Sequence, residues 1–431
     1  MRAERAIYWF RTDLRLDDNP SLLQAISSSD ALVFAYCHEP DEIPLNWGFQ
    51  RTGPHRRALL NQAIESLRSA LMSQGQVLVE CVGLPEIALN HLASEVGTNL
   101  IFSEAIEAPF EIESIRKLRD SGLTVTTLWQ SSLIDPLDLP FDVGNLPDVF
   151  TTFRQRVEQA GVRPPAPLPA PMKLPAQPKG FVWATPRFEA ERAVLDADAS
   201  FPYDLPLFHG GESAGLNHLN RYLEQRLPDT YKKTRNELSG VEFSSKFSPW
   251  LAHGALSSRR VYQAVQCYEA QFGGNEGTYW LWFELLWRDY FRFLHLKYGK
   301  RLYFASGLAG HTRPQHDEQA FNAWCHGQTG QRFIDAGMRE LLLTGYLSNR
   351  MRQIVASFLI HDLACDWRAG AAWFERQLID FDVYSNQGNW LYIAGFGTDP
   401  RGGRVFNPEK QAKTYDPSGE YQNRWLSKTP L

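Results

Sequence analysis

Three short segments of this chain concentrate residues that could do chemistry. The first is Tyr231 to Ser248, YKKTRNELSGVEFSSKFS. It gathers Lys232, Lys233, Arg235 and Lys246 with the hydroxyls of Ser244, Ser245 and Ser248, flanked by Tyr231 and Phe247. Hydroxyls and backbone amides at a helix start, with a cation close by, suit a phosphate or pyrophosphate. The same composition also makes a polar, N-capped turn ahead of a helix over 248–254. The second segment runs from Trp280 through WLWFELLWRDYFR. On a helix, Glu284, Trp287, Arg288 and Phe291 share one face. A carboxylate, an indole and a guanidinium there could line a pocket for a flat, anionic ligand. The plainer alternative is a core helix with an internal Glu284–Arg288 pair.

The third is split. NRMRQ (349–353) opens a helix, and LIDFDVYSNQGNW follows at 378–390. Arg352, Asp380 and Asp382 read as one buried ion-pair network, because a buried charge is costly unless paired. Asn386 and Asn389 stand among serine and glycine, where turns form readily. The tail, GFGTDPRGGRVFNPEKQAKTYDPSGEYQNRWL, interleaves basic and aromatic residues. That mixture could grip single-stranded nucleic acid, or simply be a solvated surface.

Other chemistries are excluded by what is missing. There is no HExxH, no paired-cysteine zinc pattern and no GxSxG. No GxxxxGK[ST] or GxGxxG loop follows the first strand-like run, which argues against a dinucleotide site of the NAD type there. Five scattered cysteines without a CxxC exclude a disulfide framework and fit a reducing cytosol. No apolar run approaches the roughly 18 residues of a membrane span. The first residues, MRAERAIYWFRTD, do not read as a secretory signal.

The elements that must position these segments fall into two kinds. AIYWF (6–10), ALVFAY (31–36), VLVECV (77–82), NLIFS (99–103) and LTVTTLW (123–129) are strand-length apolar runs alternating with helical patterns. Continuous apolar strands separated by helices predict a parallel sheet covered on both faces. Residues 131–200 break this rhythm: a helix-like VFTTFRQRVEQA (149–160) precedes seven prolines between 164 and 178, an extended connector. From about 211 onward the period is helical. The expected division is 1–130, 131–200 and 201–431. Residues 1–200 carry 18 Lys+Arg and 26 Asp+Glu, and the rest carry 26 and 23, so a polyanion would prefer the second half. Nine of the 13 tryptophans also lie there, which calls for a large core, a flat aromatic ligand, or both.

Taken in order, the motifs resemble the photolyase/cryptochrome family. WFRTDLRLDDNPSL, YKKTRNEL with SSKFSPWLAHGALS, FELLWRDYFR, TGYLSNRMRQIVASFL and DWRAGAAWFERQLIDFDVYSNQGNW carry the likeness, which spans about 6–426. RTGPHRRALLNQAIESLRSAL, LPDVFTTFRQRVE and GGESAGLNHLNRYL are similar to stretches of its cryptochrome DASH branch. Gln353 and Tyr392 stand where many double-strand photolyases have methionine and a second tryptophan.

The resemblance implies an N-terminal α/β antenna domain with a parallel sheet, a long linker and an all-helical FAD domain. It implies that Tyr231, Ser244, Ser245, Lys246, Phe247 and Ser248 hold the FAD phosphates and nearby groups. Glu284, Trp287, Arg288, Asn349 and Arg352 would line the cavity. Asp380 would pair with Arg352, Asp382 would meet the ring edge and Asn386 would face flavin N5. The activity implied is blue-light splitting of cyclobutane pyrimidine dimers in single-stranded DNA. Glu284 would meet the dimer's carbonyl side, Asn349, Gln353, Trp287 and Tyr392 its bases, and Arg235 and Arg350 its phosphates. A light sensor that binds DNA, RNA or a signalling partner is the rival reading. A (6-4) activity would put histidines in the pocket, and SNRMRQ has none. Trp390 and Trp367 match the inner two positions of the family's tryptophan relay, but the third place falls at Pro314. Trp324 or Trp373 would have to substitute, and photoreduction would be weaker or rerouted. A methenyltetrahydrofolate antenna is implied, with Glu111 as a contact. A monomer in the cytoplasm is the expected form.

Overall fold

The computed structural model describes residues 2–39, 47–183, 193–310 and 314–428. Five strands, β1 (Ala3–Phe10), β2 (Ser29–His38), β3 (Leu78–Val82), β4 (Leu100–Glu104) and β5 (Thr124–Leu128), form one parallel sheet. Their order is β3-β2-β1-β4-β5. The helices α1 (Pro20–Ser28), α2 (Pro54–Ser73), α3 (Pro85–Val96) and α4 (Pro109–Asp120) cover its two faces. Each begins with proline, whose fixed φ and missing N–H suit a first helical position. The chain reverses direction across the sheet between β1 and β4. In such sheets a crevice opens beyond the carboxyl ends of the strands.

After helix α5 (Phe150–Gln159) the proline-rich chain runs extended along the sheet domain. Asp18 and Leu168 exchange backbone and side-chain hydrogen bonds, and Leu32 N–H donates to Ala176 O at 3.1 Å. The rest is helical: α6 (Glu212–Glu224), α7 (Tyr231–Thr234), α8 (Ser248–Ala252), α9 (Ser258–Phe272), α10 (Glu276–Tyr298), α11 (Glu318–Cys325), α12 (Arg332–Thr344), α13 (Asn349–Ser357), α14 (Trp367–Gln377), α15 (Val383–Ala394), α16 (Pro408–Tyr415) and α17 (Glu420–Leu426). Most of the tryptophans are spent on this half's core. Trp250, Trp324, Trp367, Trp390 and Trp425 are essentially inaccessible to solvent.

The two halves are clamped together by buried and half-buried polar contacts. Asp17 pairs with Arg260 at 2.6 Å and Asp18 with Arg259 at 2.9 Å. Arg15 donates to Gly254 O at 2.8 Å. Gly254 has φ +67°, and a Cβ there would lie 1.8 Å from Thr12 O, so only glycine permits this approach. Buried Asp289 on α10 accepts both the Leu133 and Ile134 N–H groups. Among the described residues no helix is long and apolar enough to cross a membrane, and no His/Cys/Asp/Glu group is placed to hold a metal ion.

Candidate functional site

The loop between α7 and α8 is shaped by strained backbone. Ser244 and Lys246 have φ of +63° and +57°. Such conformations cost non-glycine residues on the order of 1–3 kcal/mol each and persist only where surroundings enforce them. Here His218 donates to Ser245 O at 2.8 Å, and Phe247 packs edge-on against Tyr222 at 5.1 Å. Backbone of this kind forms anion-binding concavities. The Lys246 ammonium is buried 4.7 Å from the Tyr346 ring centroid. Burial pulls its pKa down to about 8, against the opposing pull of Glu340.

This loop borders a cavity of about 390 Å³ between α8, α10, α13 and α15. Tyr231, Ser244 to Ser248, Glu284, Trp287, Arg288, Asn349, Arg352, Asp380 and Asp382 all line it, as do Arg235, Gln353 and Tyr392. A smaller recess of about 80 Å³ adjoins it, sharing Asn349, Arg352, Asp380 and Asp382 and adding Asn386 and Trp390. Most of the residues singled out from the sequence therefore converge on one place.

The single network expected of Arg352, Asp380 and Asp382 is instead two pairs. Arg352 donates to Asp380 Oδ2 at 2.8 Å. Asp380 Oδ1 is buried with no partner among the described residues, a free acceptor in the wall of a cavity. Asp382 is paired with Arg292, one helical turn beyond Arg288 on α10. Burial alone would raise the Asp382 pKa, but Arg292 and then Arg288 hold it far below the usual carboxylate range. Asp382 also caps α15 by accepting Ser385 N–H at 2.8 Å. Asn386 and Asn389, expected in a turn, lie inside α15; Asn386 Nδ2 donates to Ala371 O at 3.0 Å. The sequence Asp-Val-Tyr-Ser supplies a helix cap, and the glycine that follows is tolerated because Phe291 occupies its Cβ space, 2.1 Å away.

At the cavity's mouth, Glu284 pairs with Arg235 rather than with Arg288. Arg288 instead donates to Ser131 O at 2.5 Å, and burial lowers its pKa to about 10. Burial raises the pKa of the Glu284 carboxyl, only partly countered by Arg235. Arg235 was expected at a DNA phosphate; its guanidinium lies 4.6 Å from the Trp280 ring centroid, turned inward on Glu284. Trp287 stacks on Phe150 of α5 at 3.7 Å and 13°, and Tyr392 stands nearly perpendicular to it at 5.6 Å. Arg404 donates to the Tyr392 hydroxyl at 2.5 Å. Arg350, outside the cavity lining, donates to Gln353 and to Asn236, both at 3.2 Å.

Comparison with known proteins identifies the family in which this arrangement occurs. Residues 6–172 match the DNA photolyase family model, and residues 280–429 match the FAD binding domain of DNA photolyase. A curated relative, the cryptochrome DASH of Synechocystis, is 42% identical over 97% of this chain and 87% of its own length. The chain belongs to the photolyase/cryptochrome family. Among solved structures, the Synechocystis cryptochrome superposes with a TM-score of 0.92 at 40% identity, covering 99% of this chain and 89% of that one. The Agrobacterium tumefaciens class III photolyase gives 0.80 at 29% identity, with 99% and 87% covered. This photolyase/cryptochrome protein thus carries the family's FAD-binding helical domain. Its residues fit the cofactor: a strained anion cradle with a buried ammonium, an unpartnered carboxylate oxygen and an aromatic-walled cavity.

A second cavity, of about 510 Å³, lies between the halves of this photolyase/cryptochrome chain at the carboxyl ends of β1 to β3. Glu111 lines it, in the first turn of α4, and is bonded to Arg51 at 3.0 Å. Burial would raise the Glu111 pKa, but Arg51 lowers it overall. Arg51 also pairs with Glu39 and Glu375. Of the relay candidates, Trp390 touches the Trp324 ring at 6.3 Å and Phe374 at 5.1 Å. Trp367 donates its indole N–H to Ala305 O at 3.0 Å. The ring contacts of Trp373 among the described residues are with Phe49 and His326, away from Trp367. Sequence reasoning missed Arg292, Arg404 and Arg51. Arg292 was detectable, since it repeats the spacing from Glu284 to Arg288; Arg404 lies only 12 residues from Tyr392 but beyond the end of α15, and Arg51 reaches Glu111 and Glu375 across long sequence separations.

Proposed function

We propose that this protein is a blue-light-driven, FAD-dependent lyase that splits cyclobutane pyrimidine dimers, preferring single-stranded DNA. The observation that carries the reading is the half-buried Glu284 carboxyl at the mouth of the cavity, on the same wall as the Trp287–Tyr392 corner. Ser244 to Ser248 and Lys246 would hold the pyrophosphate, and Arg352, Asp380, Asp382 and Asn386 the ring system. Bound there in reduced form, FAD supplies the photo-excited electron that opens the cyclobutane ring and takes it back.

The chain's own work is to receive and orient the lesion. A dimer must leave the base stack to reach a recessed site, and unpairing is cheapest when no complementary strand opposes it. Trp287 and Tyr392, set at right angles, offer an apolar corner for two linked bases. Gln353 and Asn349 supply amide donors and acceptors for their edges. Burial favours the protonated form of the Glu284 carboxyl, the form that can donate a hydrogen bond to a base carbonyl. Arg350, tethered by Gln353 and Asn236, is a rim cation for a phosphate, and Arg235 joins it once the lesion displaces it from Glu284.

The test is blue-light repair by reduced protein on dimer-bearing oligonucleotides, single- and double-stranded, beside Glu284→Ala. Single-strand repair that collapses in the variant supports the reading; FAD-loaded protein that repairs neither strand refutes it. A light-sensing role, with a signalling partner or RNA, is favoured by one observation: the Arg235–Glu284 pair closes the pocket carboxylate off. A cytoplasmic monomer is part of the proposal. So is a methenyltetrahydrofolate antenna in the 510 Å³ interdomain cavity, whose walls include Trp9, Tyr36, Phe110 and Glu111. Near-ultraviolet absorption that appears on adding the folate, and weakens in Glu111→Ala, checks it.

A further inference from the structure

The five cysteines are not equivalent. Cys267 is exposed, and the other four are buried. Cys365 donates to Asp317 O and Leu363 O, both at 3.5 Å, and burial raises the pKa of Cys325. Thiols of that kind are inert. Cys37 and Cys81 are placed differently. They are direct partners across the parallel β2–β3 pair, the next pair on the same face after Ala35 and Val79. Both lie in the apolar layer between the sheet and α3. On the opposite face Glu80 ties the two strands together, bonding His38 at 2.8 Å and Arg68 Nε at 3.1 Å. The strands end just past the two thiols, where Gly83, with φ +126°, turns the chain and donates its N–H to His38 O at 3.0 Å. Cys37 also lines the 510 Å³ cavity between the halves, as does Arg11.

We infer that Cys37 and Cys81 form a redox-active dithiol, a modification site that takes small hydroperoxides from the cavity between the halves and closes to a disulfide. The two thiols share a hydrogen bond. That bond lowers the Cys81 pKa; the same bond, and then burial, raise that of Cys37 against the pull of Arg11. The pair therefore gives up one proton and holds the other between its sulfurs. As Cys37 attacks from the cavity wall, the held proton passes to Cys81. The Cys37 thiolate bonds to one peroxide oxygen while the O–O bond breaks, leaving a sulfenic acid and hydroxide. The hydroxide takes the Cys81 proton and departs as water. The Cys81 thiolate then attacks the Cys37 sulfur, and the S–O bond breaks to release a second hydroxide, which solvent protonates. The two sulfurs lose two electrons and the peroxide gains them. The Arg11 guanidinium, in the same wall, favours the anions formed on the way. Neighbouring strands lie about 4.8 Å apart, inside the roughly 4.4–6.8 Å between Cα atoms that a disulfide spans. The Cβ atoms must be drawn in to about 3.8 Å, so the bridge is strained and a thiol reductant reopens it. The chemistry needs neither FAD nor an antenna.

The test uses the full chain with Cys267→Ser, which removes the exposed thiol. The protein is treated with hydrogen peroxide, its free thiols are blocked with N-ethylmaleimide in denaturant, and its peptides are mapped by mass without reduction. The expected result is a cross-linked peptide pair joining Cys37 to Cys81, lighter by two hydrogens than the separate peptides, which dithiothreitol converts back. Cys325 and Cys365 stay free and are alkylated. In Cys81→Ser the cross-link is lost and Cys37 stops at the sulfenic acid, which dimedone captures. In Cys37→Ser the cross-link is lost and Cys81, outside the cavity lining, stays reduced at peroxide doses that close the parent bridge. The parent measurement changes neither position of the pair, so a misfolded variant does not mask the outcome. Peroxide that leaves Cys37 and Cys81 both alkylatable, links either to Cys325 or Cys365, or carries Cys37 to the sulfinic acid with no cross-link overturns the assignment.

Discussion

Replacing Glu340 by glutamine should stabilise this protein at neutral pH and do nothing in acid. Glu340, on α12, is fully buried. Its Oε2 accepts the Tyr421 hydroxyl at 2.5 Å, and its Oε1 has no partner among the described residues. Burial raises its pKa from 4.5 to about 8, although Tyr421 and then Lys246 pull the other way. The sign follows from proton uptake. The folded state keeps the proton up to about pH 8, whereas the unfolded chain releases it near 4.5. Stability therefore falls as pH rises from 4.5 to about 8, by about 1.4 kcal/mol per unit. At pH 7 this amounts to about 3 kcal/mol. Glutamine is neutral throughout, still accepts from Tyr421, and avoids that loss. Its amide hydrogens are no less satisfied than the acid's own proton. Urea unfolding of Glu340→Gln and parent, followed by tryptophan fluorescence at saturating FAD, should show a gap of about 3 kcal/mol at pH 7 that closes toward pH 5. If the variant is less stable than the parent at pH 7, Glu340 is an ionised partner of Lys246 and the argument from burial is wrong.

Three further perturbations follow from the geometry. Gly370→Ala would set a Cβ 2.2 Å from the Trp390 ring and 2.5 Å from Leu359, so it should lower stability by roughly 1–3 kcal/mol and alter photoreduction at unchanged FAD content, both measurable by thermal melts and steady illumination. Arg51→Ala strands Glu39, Glu111 and Glu375 together, and should destabilise by roughly 3 kcal/mol at pH 7. Because Arg51 holds the Glu111 pKa down, that loss should shrink as pH falls below the ordinary glutamate value of about 4.3, and a pH-independent loss in urea titrations would contradict the charge argument. Asp382→Asn keeps the α15 cap but leaves Arg292, almost wholly buried, without its carboxylate. FAD content of the purified protein should fall, and the acid limb of its stability curve should flatten, since the depressed Asp382 pKa contributes stability only above the usual aspartate range.

Much of the site was legible because its residues act locally or on one helix face. Ser244 to Ser248 are contiguous, and Glu284, Trp287 and Arg288 follow from helical spacing. The parallel sheet was legible for a related reason: strands buried on both faces are written as unbroken apolar runs. What failed was partner choice. Glu284 pairs with Arg235 and Asp382 with Arg292, although Arg288 and Arg352 are nearer in sequence. Ion pairing is decided by how α7, α10 and α15 pack, and spacing does not report this. Asn386 and Asn389 were misread for the opposite reason. Turn-forming residues were taken at face value, yet the Asp382 cap and the close seat of Gly388 on Phe291 make the segment a helix.

The packing that escapes the sequence also joins the two cavities. Asp382 lines both the 390 Å³ cavity and the 510 Å³ one, and Arg292, its partner, lines the second. Two residues on, Tyr384 accepts the Glu107 N–H of the α/β half at 2.7 Å. The first turn of α15 is thus wall, clamp and partition at once. A chromophore in the interdomain cavity would have its distance and angle to the flavin pocket set by this turn and by the Asp17–Arg260 and Asp18–Arg259 clamps. The two clamps lie outside the lining of that cavity and would act through the frame alone. Were a chromophore to occupy that cavity, Asp18→Ala would be expected to lower energy transfer to the flavin pocket at unchanged chromophore content, read as flavin fluorescence excited in the near ultraviolet.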